Sequence, residues 1–137
     1  MSKTLEEKIR LSIVFLNFNR LPETRRTVEH LRDLTAKRSD IEVIAVDNAS
    51  VDGTRKYLHS QQDWLHIVHM PNNSGIAGYN EGFKKARGDY ILVLDDDSHP
   101  ADELTLDGLI EHLDSHPKTG VVACRIESDE GKIIRTW

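Results

Sequence analysis

The sequence predicts an α/β fold, with a mostly parallel central sheet and helices on both faces of that sheet. Short apolar runs alternate with segments of helical periodicity along the chain, and this alternation is typical of parallel sheets. Several of the apolar runs are nearly continuous, which is the pattern of strands that are covered on both faces. The length of 137 residues fits one domain, so we assign residues 1–137 to a single unit.

The first predicted strand covers residues 9–16 and ends in the polar loop of residues 17–20. Pro22 then suits the first turn of a helix, because an N–H at that position would have no partner within the helix. Apolar or small side chains follow at helical spacing: Leu21, Thr24, Val28, Leu31 and Leu34. We expect this helix to cover one face of the sheet.

The second predicted strand covers residues 41–46 and stops at a stretch rich in turn formers, residues 47–54. Within that stretch, Ser50 or Asp52 can cap a short helix. Residues 64–69 predict a weaker third strand. Its alternating polar side chains suit an edge position or a strand with one exposed face.

A segment rich in glycine and asparagine, residues 71–82, leads into a helix that we expect to span residues 75–86 and to end at Gly88. Gly78 and Gly82 lie four positions apart, on one face of this helix. Two interpretations of these glycines stay open. They allow another element to pack closely, or they allow the backbone to approach a ligand.

The fourth predicted strand starts at Gly88-Asp89, runs through the apolar and aromatic residues 90–94, and ends in Asp95-Asp96-Asp97. This run is too short for a helix, and we expect it to be a buried strand. An amphipathic helix over residues 104–113 follows, and His116-Pro117 ends it.

The C-terminal part predicts a fifth strand over residues 120–126 and a β-hairpin beyond it. Asp129-Glu130-Gly131 is the turn signal of that hairpin, and residues 133–135 complete it. Cys124 is the only cysteine, which excludes an internal disulfide and a cysteine metal cluster. Its apolar neighbours favour a small buried side chain over a nucleophile.

Composition excludes several classes of function and partner. The net charge of −5 argues against a nucleic-acid groove, which needs a basic face. No apolar run approaches the length of a transmembrane segment. Residues 1–8 are charged and lack the apolar core of a signal peptide. We therefore expect a cytoplasmic protein, either free or peripheral at the inner face of the membrane.

Polar clusters follow three of the predicted strands, in residues 17–20, 47–52 and 95–97. Because parallel strands end at one edge of their sheet, these clusters should lie together, with residues 72–80 on the same edge. Ligands of open α/β sheets bind at that edge. This convergence is the strongest indication of a binding site in the sequence.

The three consecutive carboxylates, Asp95 to Asp97, predict a divalent cation that carries phosphate oxygens. Crowded carboxylates raise one another's pKa unless a positive charge offsets them. Mg²⁺ and Mn²⁺ both take oxygen ligands, so either ion would serve. The alternative is a solvated turn whose aspartates cap a helix.

Several other kinds of binding and catalytic site are excluded because their sequence motifs are missing. The glycine-rich segment lacks the Gly-Lys-Ser/Thr of a Walker A loop, and Asn17-Phe18-Asn19 stands where a dinucleotide fingerprint would begin. No Ser-His-Asp arrangement is legible among the seven scattered histidines. A diphosphate bridged by a metal fits this sequence better than phosphates held by glycine amides.

Four blocks of the sequence resemble the family-2 glycosyltransferases. They are residues 12–20 (SIVFLNFNR), 42–54 (EVIAVDNASVDGT), 73–82 (NSGIAGYNEG) and 88–97 (GDYILVLDDD). Each block is weak evidence alone, but together, in the order of the family, they are specific. The resemblance implies a GT-A fold, which is Rossmann-like, and an inverting transfer from a nucleotide-diphosphate sugar.

The resemblance also implies roles for individual residues. Asn17, Phe18 and Asn19 would line the pocket for the base, with the Phe18 ring against it. Asp47 and Asn48 would hold the base and the ribose. Asp47-Asn48 in place of Asp-Asp is similar to the rhamnosyltransferase-like branch, and the choice among uridine, thymidine and another nucleotide stays open.

The remaining implied roles concern the sugar, the diphosphate and the metal. Asn73, Gly75 and Asn80 would lie near the nucleotide or the sugar. Asp95 and Asp97 would form the Asp-x-Asp pair, with Asp97 as the direct metal ligand and Asp95 nearer the ribose. The substrate-binding set implied by the resemblance is Asn17, Phe18, Asn19, Asp47, Asn48, Asn73, Gly75, Asn80, Asp95 and Asp96.

The C-terminus departs from the family pattern. Family members carry a further acidic residue, the general base, and an acceptor-binding region for a saccharide or a lipid-linked acceptor. Asp129 and Glu130 are better interpreted as a hairpin turn, so no general base is identified. We expect the nucleotide-sugar-binding portion without the acceptor region, and an open sheet edge that could drive self-association.

Three hypotheses about function follow. The first is a metal-assisted glycosyltransferase that acts on an acceptor hydroxyl. The second is a non-catalytic nucleotide-binding or assembly module that keeps the fold. The third is a nucleotidyltransferase, which would need a basic glycine-rich loop after the first strand, where Asn17-Phe18-Asn19 stands instead.

Overall fold

The computed structural model describes residues 8–134, and the predictions for the N-terminal segment 1–7 and for Arg135 lie outside that range. The strands are β1 Leu11–Asn17, β2 Ile41–Asp47, β3 His66–His69, β4 Tyr90–Asp95, β5 Ile126–Glu127 and β6 Ile133–Ile134. The helices are α1 Leu21–Thr35, α2 Thr54–His59, α3 Tyr79–Lys85 and α4 Glu103–Ser115, with a 3-10 turn, Gly75–Gly78, before α3. No helix within residues 8–134 combines the length and the apolar character that crossing a bilayer requires.

The first four strands form one parallel sheet in the order β3-β2-β1-β4. The register pairs Asn17 with Asp47 and Leu16 with Asp95, so β1, β2 and β4 end at the same edge. The edge position expected for the third strand is confirmed. The carboxyl edge therefore gathers the loops that the sequence analysis expected to find together.

Helices cover both faces of the sheet, as predicted. On one face, α1, α2 and α4 bury a core that includes Ile13, Phe15 and Leu31. On the other face, α3 packs over β1 and β2, where Val14 and Val46 are buried. Near-continuous burial of β1 and β2 explains why their sequences lack the polar alternation of half-exposed strands.

The prediction that the fourth strand is buried is wrong. β4 lies at an edge of the sheet, and Ile91 and Val93 are 43% and 50% exposed. Successive side chains of a strand point to opposite faces, and only the face with Tyr90, Leu92 and Leu94 contacts the larger core. The helix on the other face, α3, packs mainly over β1 and β2. It meets β4 through the Tyr79 hydroxyl at Leu94 and Asp95, and Ile91 and Val93 stay exposed.

The prediction of a fifth strand over residues 120–126 is also wrong. Within the described chain, the only strand that follows α4 before the hairpin turn is the two-residue β5, which pairs antiparallel with β6. This confirms the C-terminal hairpin. Apolar composition favours a strand, but a strand forms only where a neighbouring backbone supplies hydrogen-bond partners. Cys124 is exposed, so the expectation that it is buried is wrong as well.

The predicted cap of the second helix is only partly right. Gly53, with a φ of 101°, occupies the N-cap position of α2 without a side-chain hydrogen bond. Asp52 accepts a hydrogen bond from the Thr54 N–H and another from the Leu21 N–H at the start of α1. Asp52 thus joins the beginnings of two helices.

Candidate functional site

The loop after β1 contributes Phe18 and Arg20 to the cleft at the carboxyl edge, and Asn17 and Asn19 stabilise the wall of that cleft. Phe18 is 41% exposed and lines the cleft. Asn17 is fully buried, where it donates to the Val46 carbonyl and accepts from the Thr24 hydroxyl. Asn19 has a φ of 51° and accepts a hydrogen bond from the Val51 N–H.

The loop after β2 is fixed by the buried pair Asp47 and Asn48. The Asp47 carboxylate accepts from the Ser50 N–H at 3.0 Å and from Arg55 Nε at 2.6 Å, with His69 Nδ1 at 3.4 Å. Burial alone would raise the pKa of Asp47, but the bonds from Arg55 and Ser50 outweigh it and hold that pKa below its ordinary value. Asp47 is therefore a charged group that the surrounding protein already satisfies.

Asn48 ties the loop after β2 to the glycine- and asparagine-rich segment. Its Oδ1 accepts from the Ser74 N–H, and its Nδ2 donates to Asn73 Oδ1 and to the Gly75 carbonyl. Gly75 has a φ of 57°, which glycine adopts without strain. Asn80 is exposed on α3. The structure brings Asn48, Asn73 and Gly75 together, with Asn80 farther along the same segment.

The acidic loop after β4 presents its three carboxylates in different environments. Asp96 is buried, whereas Asp95 and Asp97 are exposed. The buried Tyr79 hydroxyl donates to the Leu94 carbonyl at 2.7 Å and lies 3.1 Å from Asp95 Oδ1. Thr27 of α1 donates to the Asp96 carbonyl at 2.8 Å. α1 and α3 therefore hold this loop from two sides.

Arg20, directly before α1, pairs with two members of the acidic loop. Its Nη1 lies 3.2 Å from Asp96 Oδ1, and its Nη2 lies 3.1 Å from Asp97 Oδ2. Burial raises the pKa of Asp96 to about 6, with Arg20 opposing the rise and the charges of Asp97 and Asp95 adding to it. Burial and Asp95 likewise raise the pKa of Tyr79, which keeps that phenol protonated.

These groups surround a cleft of ≈ 250 Å³ with an apolar wall and an acidic wall. It is lined by Leu16, Phe18, Arg20, Tyr79, Asp95, Asp96 and Asp97. Of the predicted site residues, Phe18 and the three aspartates line the cleft directly. The side chains of Asn17, Asp47 and Asn48 do not line the cleft. They bond to protein groups and stabilise the loops that form it.

The donor set of the acidic loop suits a hard divalent cation that takes most of its ligands from elsewhere. Within residues 8–134, no group of three or more His, Cys, Asp or Glu side chains is arranged to hold a metal by itself. Asp95 and Asp97 are exposed carboxylates, and Asp96 is buried against Arg20. Mg²⁺ in particular is often bound through one or two carboxylates, with waters and substrate phosphates completing its shell. The residues fit that mode.

Sequence reasoning gave no role to Arg20 or Tyr79, although both stand inside the blocks that carry the family resemblance. Three adjacent carboxylates signal that a cation must lie nearby, and Arg20 ends the polar loop that was expected at the same edge. That signal could have identified Arg20. Tyr79 could not have been identified, because its role depends on how α3 packs against β4.

The family model and the related proteins indicate the same protein family. The sequence model described as "Glycosyl transferase family 2" matches residues 12–137. An uncharacterised protein of Mycobacterium tuberculosis is 30% identical over 118 residues, which cover 81% of this chain and 33% of that protein. The poly(ribitol-phosphate) beta-N-acetylglucosaminyltransferase TarP of Staphylococcus aureus is 27% identical over 92 residues, 64% of this chain and 28% of TarP.

Solved structures agree with the fold. A mannosyltransferase of Pyrobaculum calidifontis in complex with GDP-Man and Mn²⁺ superposes with a TM-score of 0.74 at 25% identity, covering 87% of this chain and 36% of that one. Staphylococcus aureus TarS in complex with UDP-GlcNAc has a TM-score of 0.70 at 22% identity, covering 80% of this chain and 32% of that one. The chain spans about a third of the length of these proteins. With a GT-A-like fold and a family match over nearly its whole length, the chain belongs to glycosyl transferase family 2.

Proposed function

We propose that this chain is the donor-binding domain of a metal-assisted, inverting glycosyltransferase, which transfers a sugar from a nucleotide-diphosphate sugar to an acceptor hydroxyl. The observation that carries the proposal is the cleft in which exposed Asp95 and Asp97 face Phe18 across the carboxyl edge of the sheet. Family membership supports the reaction, and it removes the reason to consider a nucleotidyltransferase.

Each wall of the cleft suits one part of the donor. The exposed Phe18 ring offers an apolar surface on which a base can stack. Asp97 and Asp95 are the groups that would hold a divalent cation, with Tyr79 orienting Asp95. Such a cation, when bound, would offset the charge of the diphosphate and stabilise it as a leaving group.

The identity of the base is part of the proposal. Both oxygens of Asp47 are engaged by Ser50 and Arg55, so Asp47 can contact a base directly only if Arg55 turns away. Arg55 is half-exposed, and such a movement would break its hydrogen bonds to Asp47 and to the Met70 carbonyl. This chain is similar to a mannosyltransferase that was solved with GDP-Man and Mn²⁺. A test of nucleotide binding should therefore include GDP beside UDP and dTDP.

The acceptor, the general base and the cellular setting also remain proposals. We infer that the complete enzyme acts on a saccharide or a lipid-linked acceptor in the cytoplasm, free or at the inner face of the membrane. The rival is a non-catalytic nucleotide-binding or assembly module with the same fold. Self-association through the open edge of β4 is compatible with either function.

The test is calorimetric titration of the chain with GDP, UDP and dTDP, with and without Mn²⁺. We expect one nucleotide to bind in a manner that depends on Mn²⁺, and Asp97→Ala to weaken that binding by roughly tenfold or more, the loss expected from removing a charged contact. The matched control is Asp63→Ala, since Asp63 is an exposed aspartate outside the cleft.

The outcomes separate the two hypotheses. Binding that Asp97→Ala leaves unchanged would overturn the assignment of the acidic loop. No binding of any nucleotide would overturn the donor-binding function of this chain. Binding of the matching nucleotide sugar without hydrolysis or transfer of the sugar would favour the non-catalytic module.

A further inference from the structure

Arg20 is the one cation among the described residues that line the cleft. It stands between β1 and α1 at the N-cap position of α1, and its side chain makes no capping hydrogen bond. Its guanidinium instead reaches across the cleft to the acidic loop. Glu23 in the first turn of α1 lies farther away, 3.7 Å from Nη2. The nearest partners of the Arg20 charge are therefore Asp96 and Asp97.

The two ion pairs that Arg20 makes with the acidic loop differ in how firmly they are held. Asp96 is buried, and its backbone carbonyl is fixed by Thr27, so the contact at 3.2 Å has a rigid partner. Asp97 has a side chain that is 49% exposed, and the contact at 3.1 Å joins two groups that solvent reaches. Exposed pairs of this kind exchange readily with water, whereas a buried carboxylate needs its partner. The contact with Asp97 is the one that can be exchanged.

Arg20 and a divalent cation compete for the same carboxylate. Asp97 Oδ2, which accepts from Nη2 of Arg20, belongs to a carboxylate that the proposed function assigns to the metal. A guanidinium that stays beside Asp97 would repel a second positive charge at that carboxylate. Cation binding by Asp97 and the Arg20–Asp97 bond therefore oppose each other.

We propose that Arg20 exchanges one partner for another. It neutralises Asp97 in the empty site, and it binds the donor diphosphate once Asp97 holds a divalent cation. The inference rests on the proposed function. Asp96 keeps Nη1 in place, and Nη2, released from Asp97, donates to a phosphate oxygen in the cleft. The planar guanidinium suits this exchange, because its N–H groups match the spacing of phosphate oxygens as well as that of carboxylate oxygens.

The proposal makes two predictions of opposite sign for Arg20→Gln. Calorimetry with Mn²⁺ alone should show binding at least threefold tighter than in the wild type, because a competing positive charge is gone. Titration with inorganic pyrophosphate, GDP or UDP at saturating Mn²⁺ should show binding at least tenfold weaker, because a charged donor to the diphosphate is gone. Arg20→Lys keeps the charge without the fork, so it should leave Mn²⁺ binding near the wild-type value and still weaken pyrophosphate binding.

The matched control is Arg26→Gln, since Arg26 lies on α1 and pairs with the exposed Asp129 outside the cleft. Thermal melts verify that each variant is folded. Unchanged or weaker Mn²⁺ binding in Arg20→Gln overturns the exchange. The exchange is also overturned if neither the wild type nor Arg20→Gln binds Mn²⁺. Unchanged pyrophosphate binding overturns the diphosphate contact.

The same titrations separate this inference from the proposed function. If the wild type binds Mn²⁺ and pyrophosphate with the predicted dependence on Arg20 but binds no nucleotide, the inference stands and the proposed function fails. If nucleotides bind with Mn²⁺ equally well to the wild type and to Arg20→Gln, the proposed function stands and the inference fails.

Discussion

Asp96 is a carboxylate that the fold buries beside two other carboxylates, and it carries the least favourable charge of the acidic loop. Burial raises its pKa to about 6, and the single arginine nearby offsets only part of this rise. In the unfolded chain an aspartate titrates near 3.8. The folded state therefore binds a proton more readily than the unfolded state, and the stability that this contributes is present below pH ~4 and lost as the pH rises through ~6.

Asp96→Asn should stabilise the protein at neutral pH in the absence of divalent cations. We expect the free energy of unfolding at pH 7.5 to rise by about 1–3 kcal/mol, because the amide carries no charge to bury. The gain should shrink toward pH 4 and vanish below it, where Asp96 becomes protonated in both states. Urea denaturation at several pH values, in the presence of EDTA, measures this difference.

Asp63→Asn is the control for that experiment. Asp63 is exposed, and its substitution should change the free energy of unfolding by less than about 0.5 kcal/mol. A loss of stability in Asp96→Asn at pH 7.5 would mean that the ion pair with Arg20 outweighs the cost of burying the charge.

At this scale the sequence predicted which residues lie together but not which protein groups their side chains bond. Asn17 and Asn48 were expected at the ligand, and both are buried with their amides bonded to protein groups. An amide serves either purpose, and the register that pairs Asn17 with Asp47 decides which partners lie within reach. Register depends on contacts far apart in the chain, which local patterns do not contain.

The packing of α3 and of the 3-10 turn before it distinguishes the two interpretations of Gly82 and Gly78. A Cβ added to Gly82 would lie 2.6 Å from Val14 Cγ1 and 2.8 Å from Val46 Cγ2. A Cβ added to Gly78 would lie 2.9 Å from Leu16 Cδ1. These contacts are with the sheet, so close packing of α3 on β1 and β2 accounts for both glycines.

Gly82→Ala should destabilise the protein although alanine is the better helix former. Overpacking against two buried valines costs about 1–3 kcal/mol, and the gain in helix propensity returns at most about 1 kcal/mol. We expect a net loss of about 1–2 kcal/mol in the free energy of unfolding, measured by urea denaturation.

Gly108→Ala is the matched control, since Gly108 lies on α4 and a Cβ there would meet nothing within 4 Å. It should raise the free energy of unfolding by about 0.5–1 kcal/mol, from propensity alone. Equal gains in the two variants would mean that α3 has room to move away from the sheet.

The strands also show where an apolar pattern predicts secondary structure correctly and where it does not. β1 and β2 were predicted within two residues of their observed bounds, because helices cover both of their faces and each run is nearly continuous in apolar residues. Residues 120–126 are as apolar, yet the segment pairs with no strand until β5 in the described chain. An apolar pattern indicates that a segment prefers to be buried. Whether a neighbouring strand is available to pair with that segment depends on the whole fold.

For the whole molecule, the alternation of strands and helices was enough to predict a parallel sheet and the edge that holds the site. Strand order was not predictable, because it depends on which crossovers pack best. That order leaves β4 at an edge, paired with β1 alone among the described strands. The same edge displays Ile91 and Val93 on its uncovered face.

An edge strand with free backbone groups and exposed β-branched side chains is a template for pairing with another chain. We expect the wild-type chain to self-associate through β4, with two copies pairing antiparallel about a two-fold axis. Sedimentation velocity should show a sedimentation coefficient that rises between micromolar and millimolar protein. Val93→Lys should abolish the rise, because pairing of two copies would bring their lysines together on the same face of the joined sheet. Val51→Lys, at a loop position that is 88% exposed, should leave it unchanged. A wild type that stays monomeric throughout, or an equal effect of both lysines, would show that the edge of β4 is not the contact.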